Sequence, residues 1–145
     1  MEQADSQIIQ ASAVEIEGRA LVIEGPVGSG KSSLALCLID RGAKLIGDDG
    51  VGLARRGDQV FASAPPNIAG LLEVRGIGLI ELPIAPATPV ALILTLGAGA
   101  ERLPETVPTR EVLGIPLPCL AFEPGTMAPA QRAEWALAMH GICYV

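Results

Sequence analysis

The chain has 145 residues, enough for one domain with a real core rather than two small ones. Half of the residues are hydrophobic but only 3% are aromatic, so the core is expected to be built from Leu, Ile, Val and Ala. The net charge of −6 argues against sequence-independent nucleic-acid binding, which needs a basic surface, and leaves room only for a local basic patch against an acidic partner. The first residues, MEQADSQIIQ, lack the basic start and long apolar stretch of a secretory signal. Residues 13–16 and 21–23 flank Glu17-Gly18-Arg19 and predict a β-hairpin. Its second strand runs through Ala20-Leu21-Val22-Ile23 into a glycine-rich loop, and residues 33–41 then show apolar side chains at helical spacing, stopping at Gly42.

Lys44-Leu45-Ile46-Gly47 reads as a second strand ending at Asp48-Asp49. Residues 51–54 and 59–62 flank Arg55-Arg56-Gly57-Asp58 as another hairpin. Pro65-Pro66-Asn67 breaks the pattern, and residues 68–72 are expected to be a short helical or irregular piece. A glycine-punctuated segment, Glu73-Val74-Arg75-Gly76-Ile77-Gly78-Leu79-Ile80, follows. Residues 90–96 form the clearest buried strand and are far too short to span a bilayer. Residues 97–111 are expected to be a loop, 117–122 a last strand, and 129–140 a terminal helix with Pro129 near its first turn and Trp135 and Leu137 in the core. Hairpins around one strand–loop–helix unit predict an α/β fold with a mixed sheet, a single domain over residues 1–145.

The loop carries the chemistry. Residues 25–32 read GPVGSGKS, a complete G-x-x-x-x-G-K-S phosphate-binding motif in its required place between strand and helix. Backbone N–H groups of such a loop and of the helix N-terminus cradle polyphosphate oxygens, so Gly25, Pro26, Val27, Gly28, Ser29, Gly30, Lys31, Ser32 and Ser33 are expected to bind a nucleotide. Lys31 is suited to the β- and γ-phosphates and the Ser32 hydroxyl to Mg²⁺. Asp48-Asp49, at a strand end facing the same crevice, offers one carboxylate for Mg²⁺ and another to accept a proton; neighbours on extended backbone point opposite ways, so the two are expected to differ in role. Glu73 and Arg75, if on a strand, would share a face, one suited to Mg²⁺ and the other to phosphoryl oxygens. Arg102 and Arg110 lie in the predicted long loop, where an arginine can stabilise a transferring phosphoryl group or stay a solvated charge. Cys37, Cys119 and Cys143, with the single His140, fit neither a disulfide framework nor a zinc site and accord with a reducing cytoplasm.

GPVGSGKS, Asp40-Arg41-Gly42, Asp48-Asp49 and Leu72-Glu73-Val74-Arg75-Gly76-Ile77-Gly78 together resemble the HPr kinase/phosphorylase family, in its C-terminal catalytic domain and in the short form of α-proteobacteria. The resemblance runs from about residue 10 to 120, and the L-E-V-R-G-x-G segment downstream of loop and Asp-Asp is its most specific part. It implies a P-loop kinase fold similar to phosphoenolpyruvate carboxykinase. It implies transfer of phosphate from ATP, or from pyrophosphate, to a serine of HPr, the phosphocarrier of the sugar phosphotransferase system, with removal by phosphorolysis. It further implies that Ser32 and Glu73 contact Mg²⁺, that Asp49 accepts the seryl proton with Asp48 in support, that Lys31 acts on the moving phosphate, and that Arg102 is the active-site arginine. The family partner is the HPr-type phosphocarrier, with neither nucleic acid nor membrane involved.

Two departures stand out. Gln10-Ala11-Ser12 occupies the place of a family His-Ala-Ser, and glutamine cannot relay a proton. Pro124-Gly125-Thr126 lacks the arginine and asparagine of the family's Pro-Gly-Arg-Asn, a segment tied to the reverse reaction and to subunit contacts. These departures bear on the reverse reaction and on the family's hexamer, so phosphorolytic dephosphorylation and homo-oligomerisation both stay open. The alternatives are a small-molecule kinase with an arginine-bearing lid at 97–111 and a nucleotide-binding regulatory module with little catalysis.

Overall fold

The computed structural model describes residues 5–66, 69–97 and 99–144. Among them the chain runs β1 (Ser6–Ile9), β2 (Ser12–Ile16), β3 (Arg19–Glu24), α1 (Lys31–Asp40), β4 (Lys44–Gly47), β5 (Val51–Arg56), β6 (Gln59–Ser63), β7 (Leu71–Val74), β8 (Gly78–Glu81), β9 (Thr88–Leu96), β10 (Thr109–Val112), β11 (Ile115–Phe122) and α2 (Pro129–His140). The predicted hairpins form where their turn residues demand. Glu17 and Gly18 both take positive φ, 51° and 85°, the turn whose twist matches the flanking strands of a two-residue hairpin. Helix α1 ends as its sequence indicates: Gly42 N bonds Ile39 O at 3.0 Å and Ala43 N bonds Leu38 O at 3.1 Å, a paired closure of the last turn that needs the glycine's left-handed backbone.

The apolar run at 88–96 is the spine of the sheet. Strand β9 lies parallel to β3 on one side; on the other its start meets β6 and its end runs parallel to β11. The main sheet holds nine of the described strands, with the order β1-β5-β6-β9-β3-β2-β4 and the β10–β11 hairpin beside β9. The sheet is mixed, as expected, because β3, β9 and β11 are parallel while the hairpins are antiparallel. Alternate residues sort the core into two layers. Leu21, Ile23, Leu92 and Leu94 pack under α1 and α2, and Ala20, Val22, Ile46, Val60 and Ile93 fill the other face. The core is accordingly aliphatic. Among the described residues no helix is long and apolar enough to cross a membrane.

Four expectations change. Leu71 and Leu72 are strand rather than helical or irregular, because β7 and β8 pair as a separate two-stranded sheet whose Leu72, Val74 and Ile80 pack on the helix-side core. The predicted break at Asn67 and the start of that piece at Ile68 lie outside the described residues, as does Ala98 of the predicted loop. Arg75 sits in the β7–β8 turn, not on a strand beside Glu73. The loop at 97–111 gives way to β10 at Thr109, which gains a partner in β11. Trp135 is 68% exposed, whereas Leu137 is buried as expected. Helix α2 approaches the core through Ala130, Ala133 and Ala136, and such close packing excludes an indole on that face.

Candidate active site

Strand β3 delivers a buried run, Ala20 to Ile23, straight into the loop at Gly25, and α1 begins at Lys31 with Gly30 as its N-cap. The N–H groups of the first helical turn have no intrahelical partner and point at the loop. Gly25 is a close-approach position: a Cβ there would lie 2.5 Å from Ser29 Oγ and 3.2 Å from the Leu96 carbonyl oxygen. Among the described residues Ser29 Oγ is buried without a hydrogen-bond partner, an orphaned polar atom inside the loop. Lys31 Nζ donates to Gly25 O at 2.8 Å and Pro26 O at 3.2 Å, so two of the ammonium's three donors fold back on the loop and one stays available. The loop's donors, its lysine and its glycine cradle fit a nucleotide polyphosphate.

Asp48 and Asp49 leave the end of β4 in different environments. Asp48 is buried, 7% exposed. Its Oδ1 accepts from Ser32 Oγ at 2.6 Å and from Ser12 Oγ at 2.8 Å, and its Oδ2 accepts from the Glu73 backbone N–H at 3.3 Å. One carboxylate thus ties together the phosphate loop, β2 and β7. Asp49 takes a left-handed backbone, φ 59°, and is exposed. The turn between β4 and β5 makes this split, and it requires Gly47, where a Cβ would collide with the Gly50 carbonyl oxygen. Gly50 N donates to Ala11 O at 3.0 Å, which pins the far side of the same turn.

Not every predicted residue joins this cluster. Glu73 contributes its backbone N–H, while its side chain is exposed. Arg102 is exposed in the irregular stretch between β9 and β10, and among the described residues no hydrogen bond or ion pair holds its side chain. Arg110 reaches the base of the loop instead, bonding Glu24 Oε2 at 2.6 Å. That hydrogen bond raises the guanidinium pKa above its ordinary value, against the opposing effect of partial burial. Among the described residues no group of three or more His, Cys, Asp or Glu forms a metal site. A cation here would rely on Ser32, phosphate oxygens and water, with Asp48 alongside, the coordination that suits Mg²⁺.

The sequence profile of the family described as HPr Serine kinase C-terminal domain matches residues 2–87, which include every one of these elements through β8. The chain belongs to this HPr serine kinase family. It is 41% identical over 104 residues to the HPr kinase/phosphorylase of an Exiguobacterium species, covering 70% of this chain and 30% of that protein. It is 36% identical over 112 residues to the HPr kinase/phosphorylase of Lacticaseibacillus casei, covering 73% and 32%. The chain spans about a third of the length of the curated relatives it matches. Among solved structures, the Hpr(Ser) kinase/phosphatase from Coxiella burnetii superposes with a TM-score of 0.82 at 28% identity, over 92% of this chain and 95% of that one. The shared fold therefore extends past the profile match into β11 and α2.

Two residues of this HPr kinase-family site escape a reading of the sequence. Ser12 was visible only as the end of Gln10-Ala11-Ser12; a serine inside an apolar alternating strand was the signal. Arg132 holds the turn after β11, donating to Glu123 O at 2.9 Å, Met127 O at 2.8 Å and the Pro124 carbonyl, and stacking on the Phe122 ring at 4.9 Å. Pro124 lies against Gly30 at the N-cap of α1, so this turn, where the family's Pro-Gly-Arg-Asn is missing, borders the phosphate loop. Arg132 spends its donors on backbone carbonyls and organises the turn. Gln10 is exposed at the β1–β2 junction.

Proposed function

We propose that the chain is the catalytic domain of an ATP-dependent protein serine kinase whose acceptor is HPr or a closely related phosphocarrier. The observation that carries this reading is the buried Asp48 carboxylate, which joins the serine of the phosphate loop to the segment Leu72-Glu73-Val74-Arg75-Gly76. The names of the relatives, HPr kinase/phosphorylase, support the acceptor.

In the proposed reaction the loop holds the ATP phosphates through its N–H groups, and Lys31 turns from Gly25 O and Pro26 O to the transferring phosphate. Ser32 would hold Mg²⁺, with Asp48 fixing the Ser32 hydroxyl and the exposed Glu73 carboxylate as a further candidate ligand. Mg²⁺ supplies neutralisation of the charge on the phosphate oxygens. Asp49, exposed at the crevice, accepts the seryl proton as the serine oxygen bonds to the γ-phosphorus and the bond to the β-phosphate bridging oxygen breaks, leaving ADP. Arg102 would come in from its exposed stretch to stabilise the phosphoryl group. Most of the acceleration is positioning plus electrostatics. A kinase that draws on ATP and carries three free cysteines belongs in a reducing cytoplasm.

The test is phosphotransfer from labelled ATP, and then from pyrophosphate, to purified HPr and to its serine-to-alanine variant. Label is expected on HPr and not on the variant. Asp49→Asn is expected to lower transfer by about 100-fold or more, the scale of general-base loss, with nucleotide binding retained. Near-normal transfer by that variant would remove Asp49 from the base role, and labelling of the alanine acceptor would refute the serine assignment.

A further inference from the structure

We infer that Ser12 is a positioning residue for the metal side of the site: it orients Asp48, and through Asp48 the Ser32 hydroxyl, for the magnesium-bound nucleotide. The inference rests on the reading of the loop as a Mg²⁺–nucleotide site and deepens it. Strand β2 lies between the strand that feeds the loop and the strand that ends in the carboxylates, with Ser12 paired to Ile23 of β3 on one side. On the other side the pairing with β4 carries a bulge, Val14 opposite Leu45 but Ala13 opposite Gly47. Continuing that register one step sets Ser12 opposite Asp48; without the extra residue Ser12 would face Gly47. Bulges beside active sites re-aim a side chain in this way.

Ser12 is fully buried, so its hydroxyl has no water to turn to, and it donates to Asp48 Oδ1 at 2.8 Å. Ser32 donates to the same oxygen at 2.6 Å. Two hydroxyl donors converging on Oδ1 fix the rotation of the carboxylate and leave Oδ2, with only the long 3.3 Å bond from Glu73 N, as its lightly held oxygen. With Ser12 removed, the carboxylate keeps Ser32 on Oδ1 and the long Glu73 N–H bond on Oδ2, and its plane is less firmly held. The hydroxyl of Ser32 then loses a fixed acceptor, and its lone pairs lose their aim at the cation. Outer partners of a metal site commonly carry a ten- to hundredfold effect on metal affinity.

The experiment is calorimetric titration of the whole chain with ATP plus Mg²⁺ and with ATP plus EDTA, for wild type, Ser12→Ala and Ser12→Thr, each checked by thermal melting. Ser12→Ala, flanked by Ala11 and Ala13, is expected to weaken Mg²⁺–ATP binding by about tenfold while metal-free ATP binding changes by less than about twofold. Ser12→Thr, which keeps the hydroxyl, is expected to restore most of the difference. Equal loss of both forms of ATP would mark a merely structural serine and overturn the proposal, as would Mg²⁺–ATP binding that Ser12→Ala leaves unchanged. A wild-type chain that binds neither form would overturn the nucleotide-site reading itself, an outcome distinct from a silent Ser12→Ala.

Discussion

The strand ends around the phosphate loop and the segments that follow β9 and β11 lie at the same end of the sheet, and they hold their polar side chains in opposite ways. Around the loop, Ser12, Ser32 and the Glu73 N–H come from three separate elements and converge on one buried carboxylate. Beyond β9, Arg102 is exposed, and the polar contacts that do form there run from Arg110 to Glu24 at the surface and from Arg132 to backbone carbonyls. The first region is set before any ligand arrives, because burial makes each hydrogen bond obligatory. The second gains its order from contacts nearer the surface, and an exposed pair such as Arg110–Glu24 is worth little on its own. A catalytic group in the first region is tuned by packing; one in the second must be brought in by the substrate.

The sharpest way to break this contrast is a matched pair of glycine substitutions. Gly47→Ala drives a Cβ into the Gly50 carbonyl oxygen and forces the Asp48-Asp49 turn to move. A loss of about 3 kcal/mol in urea unfolding is expected, with Mg²⁺–ATP binding largely abolished. Gly99→Ala, at φ 106° with nothing within 4 Å of its Cβ, should cost about 1 kcal/mol of backbone strain and leave binding intact. Comparable loss of binding in both variants would mean that the loop region is not set independently of the stretch after β9.

The same contrast explains what could be read from the sequence. The strand–loop–helix unit was legible because its signals are local: an apolar run, glycines at fixed spacing, apolar helical periodicity and Gly42 at the close. Different roles for Asp48 and Asp49 are expected from divergence on extended backbone, but the turn is what separates them: Asp49 leaves the strand with φ 59°. The Ser12–Asp48 bond was not legible, because it depends on a one-residue bulge between segments 36 positions apart. Residues 71 and 72 do not read as strand because prolines and glycines surround them, and glycines in Arg75-Gly76-Ile77-Gly78 mark a hairpin turn as readily as a loop. The exposure of Trp135 is not legible because alanines give α2 an ambiguous apolar stripe, and tertiary packing turns the alanines inward and the tryptophan outward.

A second comparison tests whether the exposed Arg102 does chemistry that the ion-paired Arg110 does not. Arg102→Ala removes an exposed side chain and should leave stability within about 0.5 kcal/mol. It should nevertheless lower the transfer rate to HPr by about 100-fold, with KM for ATP nearly unchanged, as loss of a group that acts only on the moving phosphoryl requires. Arg110→Ala breaks the ion pair with Glu24, whose partners are 45% and 21% exposed, and should cost less than about 1 kcal/mol with a small change in rate. Steady-state kinetics of the two variants decide between them. A larger fall in kcat for Arg110→Ala would move the phosphoryl-facing role to the arginine beside the loop.

The smallest expected effect on the site comes from the opposite end of β9, where neither region is involved. Tyr144 donates its hydroxyl to Val90 O at 2.7 Å, and Ile142 N bonds Ala91 O at 3.0 Å, so the chain's last described residues fasten onto the start of the spine strand. Burial pushes the phenol's pKa above its ordinary value, with the Asp58 carboxylate adding to the rise. A raised folded pKa means that the folded chain holds the proton more tightly than the unfolded one. The stability from the neutral phenol is therefore fully present below the unfolded value of about 10 and is lost as pH rises through the folded one. Tyr144→Phe should cost about 1 kcal/mol at neutral pH, the worth of one hydrogen bond, and should flatten the fall in urea midpoint above about pH 10. Because β9 carries this contact at its first residues and the loop region at its last, Mg²⁺–ATP binding should be unchanged. A drop in nucleotide affinity in Tyr144→Phe would show that the spine strand transmits strain along its length, and the loop would then be less independently set than its buried hydrogen bonds imply.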